Sequence, residues 1–400
     1  MVLYKNQLLE LLLNRSLIIM TKNLIYLLVL LAFITTTACK QSETQVTEKP
    51  APTSVNYNVH SFYYNWYENP TRDGQYAHWN HQVLPHWSDT TWDNAGSYPG
   101  NEDIGANFYP ELGSYSSNDT ATIKQHMEWL QQSGSGVLAI TWWGKGKNNE
   151  SGDNAIPTYL DLADRYGLKL AFHIEPFYKS AAEFKEQLEY VANKYGEHPA
   201  LYKYNGKPFY YVYDSYKLSN EEWQKVFSPE GEMSVRNTEL DGTFIGLWVH
   251  ENDGDSIKAS GFDGYYTYFA SEGFVYGSTS SNWKNLAQFA SDNDMIFIPC
   301  VGPGYIDTRI RPWNAENTKS RENGKYYEKM FTAAMDVKPE IIGITSFNEW
   351  HEGTQIEPAI TKSVGEYNYE DYGKDTDPLF YIKETRTLIE QFEKSPVAKN

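Results

Sequence analysis

Eight short apolar runs, alternating with helical stretches, set the narrowest limit on how this chain folds. The runs span 59–64, 137–142, 169–174, 208–213, 244–249, 265–269, 296–301 and 341–347. Each suits one strand and is too short for a typical helix. Helical spacing fills most of the intervals. Stretch 120–132 carries Ile123, Met127 and Leu130, and 155–166 carries Ile156, Leu160 and Ala163 before a Gly167 C-cap. Stretch 181–195 carries Phe184, Leu188, Val191 and Tyr195, and further helices are expected at 281–290, 326–337 and 378–392. The connections after the fourth and fifth runs have room for short helices only. The alternation predicts an α/β fold, a (β/α)8 TIM barrel in a single domain. An open doubly wound sheet is the competing arrangement, but no glycine-rich phosphate loop follows any early run. Residues 65–119 exceed an ordinary βα loop and are crowded with Trp, His, Asn and Tyr, so this segment is expected to wall a site.

Residues 1–38 read as an export segment, with Met20 the more natural start, Lys22 as its basic end and 24–34 as its apolar core. Thr36-Thr37-Ala38-Cys39 resembles a bacterial lipoprotein cleavage site, although Thr rather than Leu stands three residues before Cys39. An ordinary secretory signal or an uncleaved anchor is the other reading. With Cys39 lipidated, Cys300 has no cysteine partner, so no disulfide staples the fold. Residues 39–54 read as a polar tether and 55–396 as the folded barrel domain. The expected location is the cell surface or periplasm of a bacterium, anchored to the outer membrane by lipid alone. The net charge of −18 argues against nucleic-acid or anionic-membrane partners. A monomer that takes a neutral or positively charged ligand is expected.

In a barrel, chemistry sits at the carboxyl ends of the strands. There the chain supplies Tyr64 and Trp66, then Trp142-Trp143, His173-Ile174-Glu175, Tyr213-Asp214, Trp248-Val249-His250-Glu251, Tyr266 and Tyr268, Tyr305, and Asn348-Glu349-Trp350-His351-Glu352. Aromatic and polar residues converging on one rim suit a sugar, and paired carboxyl groups suit glycoside cleavage. Spacing is weak evidence, because 52 acids make such pairs common; position at the end of a buried run is the stronger signal. Glu349 and Glu352 form the best pair. Glu175 is third, equally readable as a sugar-hydroxyl acceptor, and Asp214 and Glu251 read as binding or structural. His173, His250 and His351 lack a helical HExxH spacing, so no metal and no cofactor is expected. No Gly-x-Ser-x-Gly elbow is present.

The segments FYYNWY, GANFYPELGSYSS, TWWG, HIEPF, YVYDSY and SFNEWHEGTQIEP, in this order across 59–394, together resemble glycoside hydrolase family 99. That is the endo-α-1,2-mannosidase and endo-α-1,2-mannanase family. The resemblance implies a metal-free (β/α)8 barrel that cleaves internal α-1,2-mannosidic links of α-mannan or mannose-rich glycans with retention. It implies that Glu349 acts on the sugar's own 2-hydroxyl to give a 1,2-anhydro sugar. Glu352 would be general acid and then base, with Tyr268 beside the reacting centre. Trp142, with Trp143 next, is expected as the upstream platform. Tyr64, His173, Glu175, Tyr213, Asp214, His250, Asn348 and Trp350 are expected to bind substrate. Arg311 is expected to orient hydroxyls or a sulfate. Within the long first loop, His78, Trp79 and His81 are further candidates. Because a general acid needs a raised pKa, Glu352 is expected in the drier or more carboxylate-crowded setting. Another α-glycosidase on this barrel, or a lipoprotein that only captures glycans, is the alternative.

Overall fold

A computed structural model describes residues 54–86, 96–145, 150–373 and 377–395. The expected eight strands are all present: β1 (Asn56–Tyr63), β2 (Ser135–Trp142), β3 (Lys169–Ile174), β4 (Lys207–Val212), β5 (Thr243–Leu247), β6 (Gly264–Tyr266), β7 in two pieces (Ile296–Ile298 and Cys300–Val301) and β8 (Ile342–Ile344). Each pairs in parallel with its neighbour, and β8 closes on β1 with His60 beside Gly343. Pro299 divides β7: the first piece pairs with β6 and the second with β8. Proline has no N–H for a ladder, and here its carbonyl still accepts from Gly343 N at 3.1 Å.

Helices follow the strands in turn: α1 (Thr120–Ser133), α2 (Glu150–Arg165), α3 (Ala181–Tyr195), α4 (Asn220–Phe227), α5 (Asp253–Ser260), α6 (Trp283–Asn293), α7 (Lys325–Asp336) and α8 (Phe380–Lys394). Local chemistry sets their ends. Asp119, Ser180 and Ser219 cap the first turns of α1, α3 and α4 by accepting backbone N–H bonds. Gly134 ends α1 in the left-handed conformation that a Cβ disfavours. The two weak connections hold α4 and α5, eight residues each.

Several strands are shorter than their apolar runs. At the sixth, Tyr268 takes a left-handed φ of 49° and turns the chain into the barrel mouth. At the eighth, the chain leaves the sheet after Ile344 through a cis peptide between Thr345 and Ser346.

The barrel interior is aromatic more than aliphatic. His60 Nδ1 lies 2.7 Å from Tyr211 Oη, His173 Nε2 lies 2.8 Å from Tyr266 Oη, and Phe62 packs among these rings. Part of the aromatic content is therefore core, and it forms a rigid floor under the strand ends. The described residues fall within the unit Pro52–Asn400. Among them, no helix is long and apolar enough to cross a membrane. The export segment, most of the tether and Cys39 lie outside the described residues.

Candidate active site

A cleft of about 350 Å³ opens at the carboxyl ends of the strands. Tyr64 and Trp66 after β1, Trp143 after β2, and His173 and Glu175 on β3 and just beyond it supply part of its wall. Tyr213, Asp214 and Lys217 follow β4, and Tyr268 follows β6. Ile310 and Arg311 follow β7, and Glu349, His351 and Glu352 follow β8. The long first loop closes one side with His78 and His81, as expected of that segment.

Glu349 is the more enclosed of the two central carboxylates, only 4% exposed. Its backbone N–H donates to Ser346 Oγ at 2.7 Å, and its Oε1 accepts from His351 N at 3.1 Å. Burial, and then the charge of Glu352, raises its pKa well above the ordinary carboxylate range. Glu352 is also raised by burial, but Arg311 opposes this with Nη1 3.3 Å from its Oε1. The expectation that Glu352 would hold the setting most hostile to charge is therefore reversed. Arg311 stands at Glu352, and Glu349 has no cation of its own. Of the two, Glu349 is therefore the carboxyl group pushed further toward its neutral form.

Arg311 is itself held by Asp307 at 3.1 Å, whose Oδ2 also accepts from Tyr305 Oη at 2.8 Å and Asn314 Nδ2 at 2.9 Å. Tyr268 shares a short hydrogen bond with Tyr64, and burial keeps its hydroxyl protonated. Glu175 accepts from Thr141 Oγ1 at 2.6 Å, and burial, with Asp214 adding, pushes its pKa up to about 8. His173 is held neutral by burial, its pKa near 3. Asp214 pairs with Lys217 at 2.8 Å.

Five expected site residues lie elsewhere. Strand alternation puts Thr141 inside the barrel and turns Trp142 outward, where it is 2% exposed and donates to Asp153 Oδ1 at 3.1 Å. Trp143, one residue on, faces the cleft instead. His250 sits in the turn before α5 with its side chain 78% exposed, 3.8 Å from Asp253. Asn348 is wholly buried; it accepts from Tyr64 N at 2.7 Å and donates to Tyr64 O at 2.8 Å, tying the ends of β1 and β8 together. Trp350 is also buried, donating to Glu357 Oε2 at 2.8 Å. Trp79, from the first loop, donates to Tyr115 O from the core.

The sequence reading passed over Lys217 and Ile310 as wall residues, and Asp307 as the anchor of Arg311. Only Lys217 left a local signal, three residues after Asp214 in one tight turn. His351 deserved more weight: it lines the cleft, is 4% exposed, and neither ring nitrogen has a hydrogen-bond partner. Among the described residues no cluster of His, Cys, Asp or Glu is placed to hold a metal ion.

The turn carrying the two glutamates is fixed from behind. Ile306 N donates to Glu352 O at 2.8 Å. Gly353 has a φ of +61°, and a Cβ there would meet Ile306 O at 2.6 Å. Arg321, 8% exposed, donates through Nη2 to Gly353 O at 2.9 Å and Gln355 O at 2.8 Å. Its guanidinium lies 4.5, 4.7 and 4.5 Å from the ring centres of Phe108, Tyr372 and Tyr381.

Comparison with known proteins places the chain in a family. The glycoprotein endo-alpha-1,2-mannosidase of Mus musculus is 46% identical over 374 residues, covering 91% of this chain and 80% of that protein. The Xenopus laevis protein of the same name is 48% identical over 360 residues, covering 87% and 79%. The solved GH99 endo-alpha-mannosidase from Bacteroides thetaiotaomicron superposes with a TM-score of 0.81 at 46% identity, covering 85% of this chain and 99% of that one. Residues 54–394 match the sequence model of glycosyl hydrolase family 99, and the chain belongs to that family.

Proposed function

We propose that the protein is a retaining endo-α-1,2-mannosidase that cuts internal links of α-mannan or related mannose-rich glycans. The observation carrying this reading is the pair Glu349 and Glu352 in one cleft, beside Tyr268 and under a wall of aromatic and imidazole side chains. A protein that only captured glycans would have no use for two coupled carboxyl groups among binding residues.

In this reading Glu349 takes the proton of the substrate 2-hydroxyl, which attacks C1 from the face opposite the leaving group. The axial 2-hydroxyl of α-mannose is trans to that group, so the attack is geometrically open. Glu352 protonates the leaving oxygen and later activates the water that opens the 1,2-anhydro sugar. The chemistry requires Glu349 ionised and Glu352 neutral once substrate is bound. A sugar hydroxyl donating to Glu349 favours its ionised form, and a leaving sugar covering Glu352 removes water and favours the neutral acid. Trp143 replaces Trp142 as the upstream platform, and Arg311 holds Glu352 in place. Residues 1–38 are read as an export segment and Cys39 as a lipid-anchored terminus, on the strength of Lys22, the apolar stretch 24–34 and Ala38-Cys39.

Glu349→Gln and Glu352→Gln are expected to abolish turnover while α-1,2-linked oligosaccharide still binds by calorimetry. An unsubstituted protein that binds these glycans and cleaves none of them overturns the reading. The anhydro-sugar step has its own test, a substrate lacking the 2-hydroxyl on the reacting mannose. It should resist cleavage, and normal cleavage rejects that step.

A further inference from the structure

We propose that Tyr216 forms a distal subsite that binds one mannose unit beyond those held in the cleft, on the side of β4 and β5. The proposal rests on the reading of the cleft as a mannan-cleaving site and adds a residue that determines chain-length preference.

Tyr216 is 55% exposed, in a molecule that buries most of its aromatic rings. Among the described residues the other exposed tyrosine, Tyr57, lies at the amino end of β1, far along the strand from the barrel mouth. Tyr216 instead sits in the turn Ser215–Lys217 that follows β4, between Asp214 and Lys217, both of which line the cleft. Its hydroxyl donates to Asp214 Oδ1 at 2.7 Å, while Asp214 Oδ2 accepts from Lys217 Nζ at 2.8 Å. Asp214 is in the left-handed region, φ 48°, so the turn presents these three side chains from a sharp corner.

An exposed ring held at its polar edge is a prepared platform, because a sugar stacking on it orders little that is not already ordered. The carboxylate and ammonium beside it offer an acceptor and donors to sugar hydroxyls.

The position around the barrel gives the direction. Glu352 and Arg311 follow β8 and β7, whereas Asp214 and Lys217 follow β4, across the mouth. An endo-acting enzyme must let the glycan run out of its cleft at both ends. With Glu352 assigned to the leaving oxygen, the chain that crosses away from Arg311 and over Asp214 is the non-reducing portion.

The test is a series of α-1,2-linked mannose oligosaccharides lengthened one unit at a time at the non-reducing end. Dissociation constants are measured by calorimetry on Glu352→Gln protein with Tyr216 intact, changed to Phe, and changed to Ala. With Tyr216 intact, the added unit that reaches the ring should tighten binding by about three- to tenfold. Tyr216→Phe should keep most of that step, and Tyr216→Ala should lose it. No step with Tyr216 intact, or the same step in Tyr216→Ala, overturns the proposal. Hydrolysis of the same series by the unsubstituted enzyme reports separately on the function reading, because the binding step does not require turnover.

Discussion

Replacing Arg321 by methionine tests how the catalytic turn is held. The substitution keeps an apolar stem of similar length and removes the guanidinium. Two buried carbonyls, Gly353 O and Gln355 O, lose donors at 2.9 and 2.8 Å. Hydrogen bonds to a charged group contribute about 1.5–3 kcal/mol each, so roughly 3–6 kcal/mol is at stake. Three aromatic rings around the cation add about 1–2 kcal/mol. Opposing this, Arg321 Nε and Nη1 are buried without hydrogen-bond partners, and their removal returns about 1–3 kcal/mol for each group. The carbonyl and ring terms win by about 2 kcal/mol, a sizeable fraction of the 5–15 kcal/mol typical of a folded domain. A urea titration at neutral pH should show that loss. Because Glu352 directly precedes Gly353, kcat should fall by about tenfold or more as the carboxyl group loses its fixed position. Arg321→Lys keeps the charge and at least one donor and should lie between the two. A methionine variant within about 0.5 kcal/mol of the parent and with full kcat refutes the reasoning. It would mean that Ile306 and the backbone of Gly353 hold the turn unaided.

Arg311→Met bears on the pH profile. At 3.3 Å the attraction between Arg311 and Glu352 is at most about 5 kcal/mol at an effective dielectric of 20, before solvent screening at this partly exposed pair. Without the cation the pKa of Glu352 rises. Glu352 must be protonated to donate, so the alkaline limb of kcat/KM should move to higher pH; an unmoved limb contradicts its role as acid. Trp143→Ala should raise KM for mannan oligosaccharides by about tenfold with little loss of stability. Trp142→Ala should instead cost about 3–5 kcal/mol in a denaturant titration, and the opposite pattern would restore Trp142 as the platform. Acid stability follows from His60, His78 and His173, whose folded pKa values lie near 3 against an ordinary 6.5. Their stabilisation is complete above 6.5 and is lost as pH falls toward 3. Glu175, raised to about 8 from 4.5, works in the opposite sense, gaining stability as pH falls from 8 to 4.5. The effects oppose one another between 6.5 and 4.5, and below 4.5 the histidines held neutral by burial, His81 and His351 among them, drive a loss of stability as they take up protons. Denaturant midpoints that stay flat from pH 4.5 to 3.5 contradict this.

Period and order in the sequence carried most of the fold, because each strand is a buried run and each helix has an apolar stripe. The strand limits were harder to read. Tyr268 and Thr345 sit in apolar runs, yet the chain turns out of the sheet at or just before them. Glu349, Glu352, Tyr268 and Glu175 were legible because they stand at or just past the ends of apolar runs, and Arg311 because it lies in the loop after the seventh. Trp142 and Trp143 were not separable, since one residue of register decides whether an indole faces helices or cleft. Asn348 and Trp350 looked like binding groups from their place beside the two glutamates at the end of the eighth run, but both are buried and point back into the protein. The pKa ranking failed for a physical reason. It depended on Arg311, whose arrival at Glu352 is a tertiary event with no local signature. Arg321 escaped notice for the same reason: its carbonyl partners lie 32 and 34 residues away in sequence.

Product analysis on α-mannan oligosaccharides of defined linkage tests the central claim most directly. NMR in the first minutes of reaction gives the anomer formed, and mass spectrometry gives the position of the cut. The account predicts cleavage at internal α-1,2 links, oligosaccharide products, and an α-configured new reducing end. Release of single mannose units from the chain terminus, a β-configured product, or cleavage confined to other linkages would contradict it.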